Sequence, residues 1–370
     1  MRRIVSVATC VCALAGLLST PGHALVNEFE QQQQGKAGDA SGTVTKSAEK
    51  VPWRGSYFEY TNGLGMRTFF DDLTYDPLYT QSLSFQPRYW IRDDLRLGMR
   101  LDLEVELTTS NELQRREWYT SDLSLAATYA PKWAKIPVAD VSVRGGLTLY
   151  FPTSPYSRYQ TMMLAMAPGL TFSRSFDLMK GRFLKKLTLT YGFRVVKYFH
   201  EFKQAQLDER DPDAAAVDLR AGTTTDLNDP SNIHSGALNK SWRFSNVLTA
   251  SLAIMDKLTF AAAIGLRNDL VHKLSEEEFV TDVDGNTRVV LGESSMNHRG
   301  SNVSQLDLTY ETFDWLYLSL GVLSLAPHLK PDSDGYYAPF FNRYSTFYFN
   351  VTIPVDRMVA QVQTWTGWGE

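Results

Sequence analysis

Apolar and polar residues alternate without a break from residue 95 to residue 108, in the run L-R-L-G-M-R-L-D-L-E-V-E-L-T. Successive side chains of a β-strand point to opposite faces, so a strand here has one apolar face and one polar face. The polar face carries arginines, acidic residues, a glycine and a threonine. Such a charged face is unusual in a soluble core, and it is what a β-barrel in a lipid bilayer needs on its inner side.

The same alternation recurs along most of the chain. In residues 258–267, for example, Leu258, Phe260 and Ile264 alternate with Thr259, Gly265 and other small or polar residues. Turn-forming residues flank each segment of this kind. The pattern predicts twelve strands, at about 54–62, 82–92, 95–108, 118–130, 138–151, 161–176, 185–199, 241–255, 258–270, 302–312, 315–325 and 344–356.

The connections between these strands alternate between long and short. The long ones cover about 63–81, 109–117, 152–160, 200–240, 271–301 and 326–343, and the short ones between them cover 93–94, 131–137, 177–184, 256–257 and 313–314. Outer-membrane barrels have an even number of strands, short periplasmic turns and long external loops. The alternation therefore favours a barrel with both chain ends in the periplasm over a soluble β-sandwich, which remains the structural alternative.

The first 24 residues have the pattern of a secretory signal peptide. Arg2 and Arg3 precede an apolar run, and Gly22 and Ala24 provide small residues for cleavage after position 24. A lipoprotein signal at Cys10 or Cys12 is a weaker alternative, because no small-residue motif precedes either cysteine. Residues 25–52 are rich in Gln, Gly, Ser and Lys, and this composition predicts a disordered periplasmic lead.

From about residue 53 to residue 356 the chain resembles the outer-membrane β-barrels of Gram-negative bacteria, with no specific family matched. We therefore expect an all-β, transmembrane, antiparallel up-and-down barrel of 12 to 14 strands over residues 53–358. Residues 359–370 are either a C-terminal tail or, between Met358 and Trp365, an extra short strand. The expected location is the outer membrane, and the expected lipid partners are outer-membrane lipid and lipopolysaccharide.

Composition excludes several other classes. The only two cysteines lie in the predicted signal peptide, so neither a disulfide framework nor a cysteine metal site is expected. A formal net charge of −4 gives no sign of nucleic-acid binding. No apolar run after the signal is long enough for a membrane-spanning helix. No cofactor motif is present, and a homo-oligomer is compatible with the sequence.

The charged residues of the inner face are the first candidate for function. They would line a polar pathway in which arginines attract anions and acidic residues adjust selectivity. A salt-bridged, plugged lumen without transport is the alternative, because a barrel of twelve strands is narrow. The predicted lumen-lining residues are Arg96, Arg100, Asp102, Glu104, Glu106, Arg144, Arg194 and Arg267.

Two other functions stay open. His298 and Ser301 lie close together in sequence and resemble the His/Ser/Asn grouping of outer-membrane lipases, although the spacing differs, so a barrel hydrolase is one alternative. A non-conducting surface protein that binds through its long acidic loops is the other. The preferred hypothesis is a porin or channel for small polar or anionic solutes, without a catalytic residue.

The acidic loops at 200–240 and 271–301 offer oxygen ligands for calcium or magnesium. The run Asp282-Val283-Asp284-Gly285-Asn286 begins like a calcium loop, but the glycine is misplaced for that motif. Turn chemistry accounts for the same residues, so we predict a β-hairpin of residues 279–282 and 287–291 above the membrane, and no metal site.

Overall fold

The computed structural model describes residues 51–69, 78–108, 118–178, 183–206, 234–272, 279–281, 287–289, 298–330 and 335–366. These residues form a closed, antiparallel β-barrel of twelve strands. Neighbours in the sheet follow the chain order, as in an up-and-down barrel. The predicted fold class and strand number are confirmed.

The strands are numbered in chain order. β2 and β3 form one barrel strand that is interrupted at Pro87, and β5 and β6 form another. β7, β11, β12, β15 and β16 belong to connections between barrel strands. The bounds are β1 Tyr57–Gly65, β2 Tyr79–Gln86, β3 Arg88–Arg92, β4 Leu95–Glu106, β5 Trp118–Thr120, β6 Leu123–Tyr129, β7 Lys135–Ile136, β8 Val141–Phe151, β9 Met162–Asp177, β10 Lys186–His200, β11 Gln204–Gln206, β12 His234–Leu238, β13 Lys240–Ala253, β14 Leu258–Val271, β15 Phe279–Thr281, β16 Thr287–Val289, β17 His298–Phe313, β18 Leu316–Pro327 and β19 Ser345–Pro354.

Three helical segments accompany the strands. A short 3-10 helix, Met66–Phe69, follows β1, helix α1 covers Pro155–Tyr159 between β8 and β9, and helix α2 covers Val355–Thr366 after β19. No helix in the described part of the chain is long and apolar enough to cross a membrane.

The first and last strands close the barrel. β1 pairs with β19 from Tyr57 opposite Pro354 to Gly65 opposite Thr346, and its other edge pairs with β2. The sequence prediction ended the first strand at residue 62, because Gly63 and Gly65 suggest a turn. In the structure Gly63 continues the strand, and a Cβ there would lie 2.7 Å from Thr80 Oγ1. This glycine therefore serves close packing between two strands.

The barrel wall is apolar outside and polar inside. Exposed apolar side chains lie on the outer face of the strands, and they include Leu97, Leu125, Leu147, Leu170, Leu189, Leu248, Ile264, Leu308, Leu320, Phe347 and Phe349. The buried inner positions include Arg100, Asp102, Glu104, Arg243 and Asp269. This arrangement is the reverse of a soluble protein and matches a barrel that spans an outer membrane. The soluble β-sandwich alternative is wrong.

The connections also agree with the prediction. Short turns join β3 to β4, β9 to β10, β13 to β14 and β17 to β18 at one end of the barrel. The described part of the connection between β14 and β17 contains the predicted hairpin, in which β15 pairs with β16. The rule for outer-membrane barrels predicts that the short-turn end faces the periplasm. The predicted signal peptide and the predicted lead up to residue 50 lie outside the described residues.

The sequence left a tail or an extra short strand open for the C-terminal segment, and the described residues after β19 do not form the strand. Residues 355–366 form α2 instead. Apolar residues there recur at Val355, Met358, Val359 and Val362, which is the spacing of one helix face rather than of a strand. Arg357 fixes the first turn of α2 at the short-turn mouth, because its Nη1 donates to Glu311 Oε1 at 3.2 Å and to Tyr317 Oη.

Tyr348 on β19 depends on a glycine in the neighbouring strand. Its ring lies over Gly321, its hydroxyl donates to Asp307 Oδ2 at 3.0 Å, and it accepts from Gln305 Nε2 at 2.5 Å. A Cβ at Gly321 would overlap the ring and would lie 2.5 Å from the backbone oxygen of Leu306.

We expect Gly321→Ala to lower the free energy of unfolding by about 1–3 kcal/mol, because the added methyl group displaces the Tyr348 ring. The measurement is a denaturant titration of the detergent-solubilised barrel. Gly145→Ala is the matched control, since a Cβ there makes only an ordinary contact with Leu170 Cδ2 at 3.9 Å. Equal losses for both variants would contradict the prediction.

Candidate functional site in the barrel lumen

A cavity of about 580 Å³ occupies the lumen toward the short-turn end. It is bounded by β2, β3, β4 and β6 on one side and by β8, β9 and β10 on the other, with the ends of β13 and β14 completing it. Seven of its charged lining residues are basic and one is acidic. They are Arg88, Arg96, Arg100, Lys135, Arg144, Lys186, Arg194 and Asp140.

The cavity exists because small residues stand between the arginines. Arg96 lies opposite Thr128, which lies opposite Gly146 on β8. The same row continues to Gly169 on β9 and then to Arg194 on β10. Side chains of this size leave the lumen open, while the two arginines project into it from either end of the row.

Four of the eight predicted lumen residues line this cavity, namely Arg96, Arg100, Arg144 and Arg194. The alternation along each strand is sufficient to find them. Lys135 was not predicted to line the lumen, because residues 131–137 have the composition of a turn. Alternation cannot assign the side chains of a turn to an inner or an outer face. In the structure β7 pairs with β8 and brings Lys135 to the cavity mouth.

Acidic residues and a tyrosine contact some of these cations. Asp102 pairs with Arg100, whose Nε lies 2.8 Å from Oδ1 and 2.9 Å from Oδ2, and Asp102 also accepts from the Ser84 hydroxyl. At the mouth, the hydrogen bond from Lys135 holds the pKa of Asp140 below its usual value. Arg194 Nη1 donates to the Tyr150 hydroxyl at 3.2 Å. Among the charged residues that line the cavity, seven are basic and one is acidic.

The predicted acidic residues of β4 do not line the cavity. Asp102 is buried and bound to Arg100, while Glu104 and Glu106 are buried farther toward the long-loop end of the strand. Glu104 lies opposite Ser82, and Glu106 accepts from Thr108 Oγ1 at 3.1 Å. The two glutamates thus lie beyond the cavity, toward the long-loop end.

Arg267, the remaining predicted residue, belongs to a second cluster nearer the long loops. Asp269 is its centre. Arg243 Nε lies 2.7 Å from Asp269 Oδ1, Arg267 Nη2 lies 3.0 Å from Oδ2, and Lys240 Nζ lies 3.7 Å from Oδ2. Three cations thus contact one carboxylate at this level of the lumen.

Helix α1 places a tyrosine close to that cluster. The arginines Arg243 and Arg267 favour the ionised form of Tyr156, but burial outweighs them and raises its pKa. α1 connects β8 to β9, and the residue after its end, Gln160, contacts the next strands, since its backbone oxygen accepts from Asn239 Nδ2 at 2.7 Å. The Tyr156 side chain itself is half exposed.

Asp122 anchors α1 to the barrel wall. Its Oδ1 accepts from the Ser154 backbone N–H at 3.0 Å, and its Oδ2 accepts from the Ser157 hydroxyl. Ser154 is also the N-cap of α1, since its Oγ accepts from the Ser157 N–H at 3.1 Å. The Asp122 carboxylate thus holds α1 in position.

We expect Asp122→Ala to release α1 and to produce larger, noisier single-channel current steps in a planar bilayer. The lost charge-assisted hydrogen bonds should cost about 1.5–3 kcal/mol in unfolding free energy. Asp256→Ala is the control, because Asp256 pairs with Lys185 at an exposed turn at the opposite end. Unchanged steps in the Asp122 variant would show that α1 does not limit the current.

The hydrolase alternative gains no support from the residues that suggested it. His298 and Ser301 lie three residues apart on β17, so their side chains point to opposite faces of the strand. His298 Nε2 lies 3.0 Å from Asn268 Oδ1 instead.

The acidic residues suggested for divalent cations all lie outside the described residues. Within the described part of the chain, no three His, Cys, Asp or Glu side chains cluster as a metal site would require.

Comparison with known proteins adds to the description of the fold. A scan with protein-family models finds no match, and neither does a search of curated protein sequences. Among solved structures, an outer membrane channel from Pseudomonas putida F1 shares 9% identity, with a TM-score of 0.44 over 84% of this chain and 99% of that one.

Two further structures show the same level of similarity. The NanC porin shares 11% identity, with a TM-score of 0.39 over 81% of this chain and 98% of its own. The outer membrane phospholipase of Salmonella typhi shares 10%, with a TM-score of 0.32 over 85% and 95%. These values are too low to carry a function to this chain, so the function has to be argued from its own lumen.

Proposed function

We propose that the protein is an outer-membrane channel through which small anionic solutes diffuse. The arginine-lined cavity is the observation that carries this proposal. An anion that enters it exchanges part of its hydration shell for guanidinium groups, while a cation meets the same groups as a barrier. The proposal assigns no catalytic role to any residue.

The positive charge continues along the passage. In this proposal α1 narrows the passage at Tyr156, Arg243, Arg267 and Lys240 meet at Asp269 nearer the long loops, and Arg144 and Arg194 lie farther toward the short-turn end. A solute on this path passes from one cationic level to the next. Low-permittivity walls strengthen such fields and raise the local concentration of the opposite charge.

The sizes of the two levels suggest what can pass. A cavity of about 580 Å³ accommodates a small organic anion with part of its hydration shell. The narrowing at Tyr156 excludes folded polymers and favours slow diffusion of small molecules. A wide, unselective pore would need more strands than twelve.

The test is single-channel recording of the folded, detergent-purified protein in a planar bilayer with a potassium chloride gradient. We expect discrete ohmic steps and a reversal potential whose sign shows preference for chloride. A cation preference would contradict the role of the arginines. The absence of current steps from protein that is shown to be folded would contradict the channel and favour a plugged lumen.

A further inference from the structure

The outer wall of the barrel is polar at one place near the long-loop end. Ser304, Ser324 and Ser345 lie opposite one another on β17, β18 and β19. They share the outer face with Leu306 and Phe347, where lipid contact is expected. Their exposed fractions are nevertheless only 2%, 1% and 1%, so other parts of the protein cover them.

Ser324 and Ser345 both contact residues 335–344 of the connection between β18 and β19, a segment named here the flap. Asn342 is buried in it, and its Nδ2 donates to Ser324 Oγ at 2.7 Å and to the Ala338 backbone oxygen at 2.6 Å. Asn342 Oδ1 accepts from the Tyr344 N–H at 2.7 Å. The flap thus folds back onto the outside of the wall and is fastened to a strand.

A second contact supports the same placement. His328, just after β18, reaches the outer face of β17, where its Nδ1 lies 2.7 Å from Asn302 Oδ1. Gly300 makes this possible, since a Cβ there would overlap the imidazole ring. The chain therefore returns onto the wall at both ends of the connection between β18 and β19.

The outer surface of the flap is apolar. Phe341 and Tyr336 are exposed, and the Phe341 ring lies 6.4 Å from the ring of Phe347, an outward residue of β19. The flap thus extends the apolar outer face of the barrel over the serines. Without it, three hydroxyl groups would face hydrocarbon.

The length of β19 indicates the depth of the flap. The strand has 10 residues, which is the length that a tilted strand needs to cross the hydrocarbon layer. Ser345, its first residue, then lies at the outer boundary, and the flap lies in the outer leaflet. Irregular backbone is tolerated at that depth only where its polar groups have partners, which Asn342 supplies.

We propose that the flap is a lipid-binding surface, with Phe341 in contact with the acyl chains of the outer leaflet. The flap shields the polar serines from those chains, and Asn342 holds it against the wall. This inference rests on the membrane-spanning barrel and not on conduction of ions.

The test uses single cysteines in a chain in which Cys10 and Cys12 are replaced by Ser. Phe341→Cys carries an environment-sensitive fluorophore, and the protein is inserted into phosphatidylcholine vesicles with or without brominated acyl chains. Phe349→Cys, on the outer face, and Thr148→Cys, in the cavity lining, are the matched controls. We expect brominated lipid to quench the probes at Phe341 and Phe349 to a similar extent, and the probe at Thr148 much less.

Quenching at Phe341 as weak as at Thr148 would overturn the proposal. Weak quenching together with disulfide-linked dimers of the unlabelled Phe341→Cys protein after oxidation by air would assign the surface to a second copy of the chain instead. Adding Asn342→Ala should lower quenching at Phe341 and leave Phe349 unchanged, which also confirms that the barrel is folded. Unchanged quenching at Phe341 would overturn the role of Asn342. The same vesicles report chloride permeation, so a failure of the channel function is seen separately.

Discussion

Replacement of both Arg144 and Arg194 by glutamate is expected to reverse the preference of the channel from anions to cations. The two guanidinium groups face the cavity from β8 and β10, and the double change replaces two positive charges by two negative ones. Each charge contributes on the order of 1 kcal/mol to a monovalent ion a few ångströms away. Since 1.4 kcal/mol corresponds to a factor of ten, the permeability ratio should change by about tenfold or more.

The measurement is the reversal potential in a salt gradient, which should change sign. Arg174→Glu is a matched control, because Arg174 lies on the outer side of β9, where its guanidinium stacks 4.6 Å from the Phe176 ring. The control introduces one Arg-to-Glu change instead of two, outside the lumen, and should leave the reversal potential as it is. Equal shifts in both proteins would mean that overall charge, and not the cavity, selects the ion.

Asp269→Ala is expected to cause the largest loss of stability of the substitutions considered. Asp269 is the shared partner of Arg243 and Arg267, and Arg243 is only 1% exposed. Removal of one partner from a buried ion pair leaves an uncompensated charge, which costs about 3–5 kcal/mol. Denaturant titration of the detergent-solubilised barrel measures the loss.

A second readout separates charge from packing in this variant. Without Asp269 the outer level of the lumen carries an additional net positive charge, so the surviving folded channels should prefer anions more strongly. Asp256→Ala, at an exposed ion pair, should cost no more than about 1 kcal/mol and leave selectivity unchanged. A stable Asp269→Ala protein with unaltered selectivity would contradict the assignment of this cluster to the passage.

The sequence could not predict at which level of the lumen each arginine lies. Arg96, Arg194 and Arg267 all alternate with apolar neighbours, and nothing in that alternation distinguishes them. In the structure Arg96 and Arg194 meet around the cavity, whereas Arg267 lies with Asp269 in another cluster. Pairing register decides this, and register depends on contacts between strands that are distant in sequence.

The connections show the same limit. The sequence predicted where the loops begin and end, and it predicted the hairpin formed by β15 and β16. It contained no signal that Asp122 would hold α1 or that the flap would fold onto the outer wall. Asp122 binds Ser154 and Ser157 from 32 and 35 residues away, and Asn342 binds Ser324 across a strand end. Such contacts depend on where the closed barrel places each loop.

Local alternation alone determined that this chain forms twelve strands with an apolar and a charged face. The reason is that one face of each strand contacts lipid and must be apolar, while the other faces the lumen and is polar. It also determined which arginines point inward. Only the tertiary structure decided how these arginines group in the lumen, where Asp122 holds α1 and where the flap covers the outer wall. Those features arise from the register of strands in a closed sheet and from long-range hydrogen bonds, and neither is encoded in the period of a single strand.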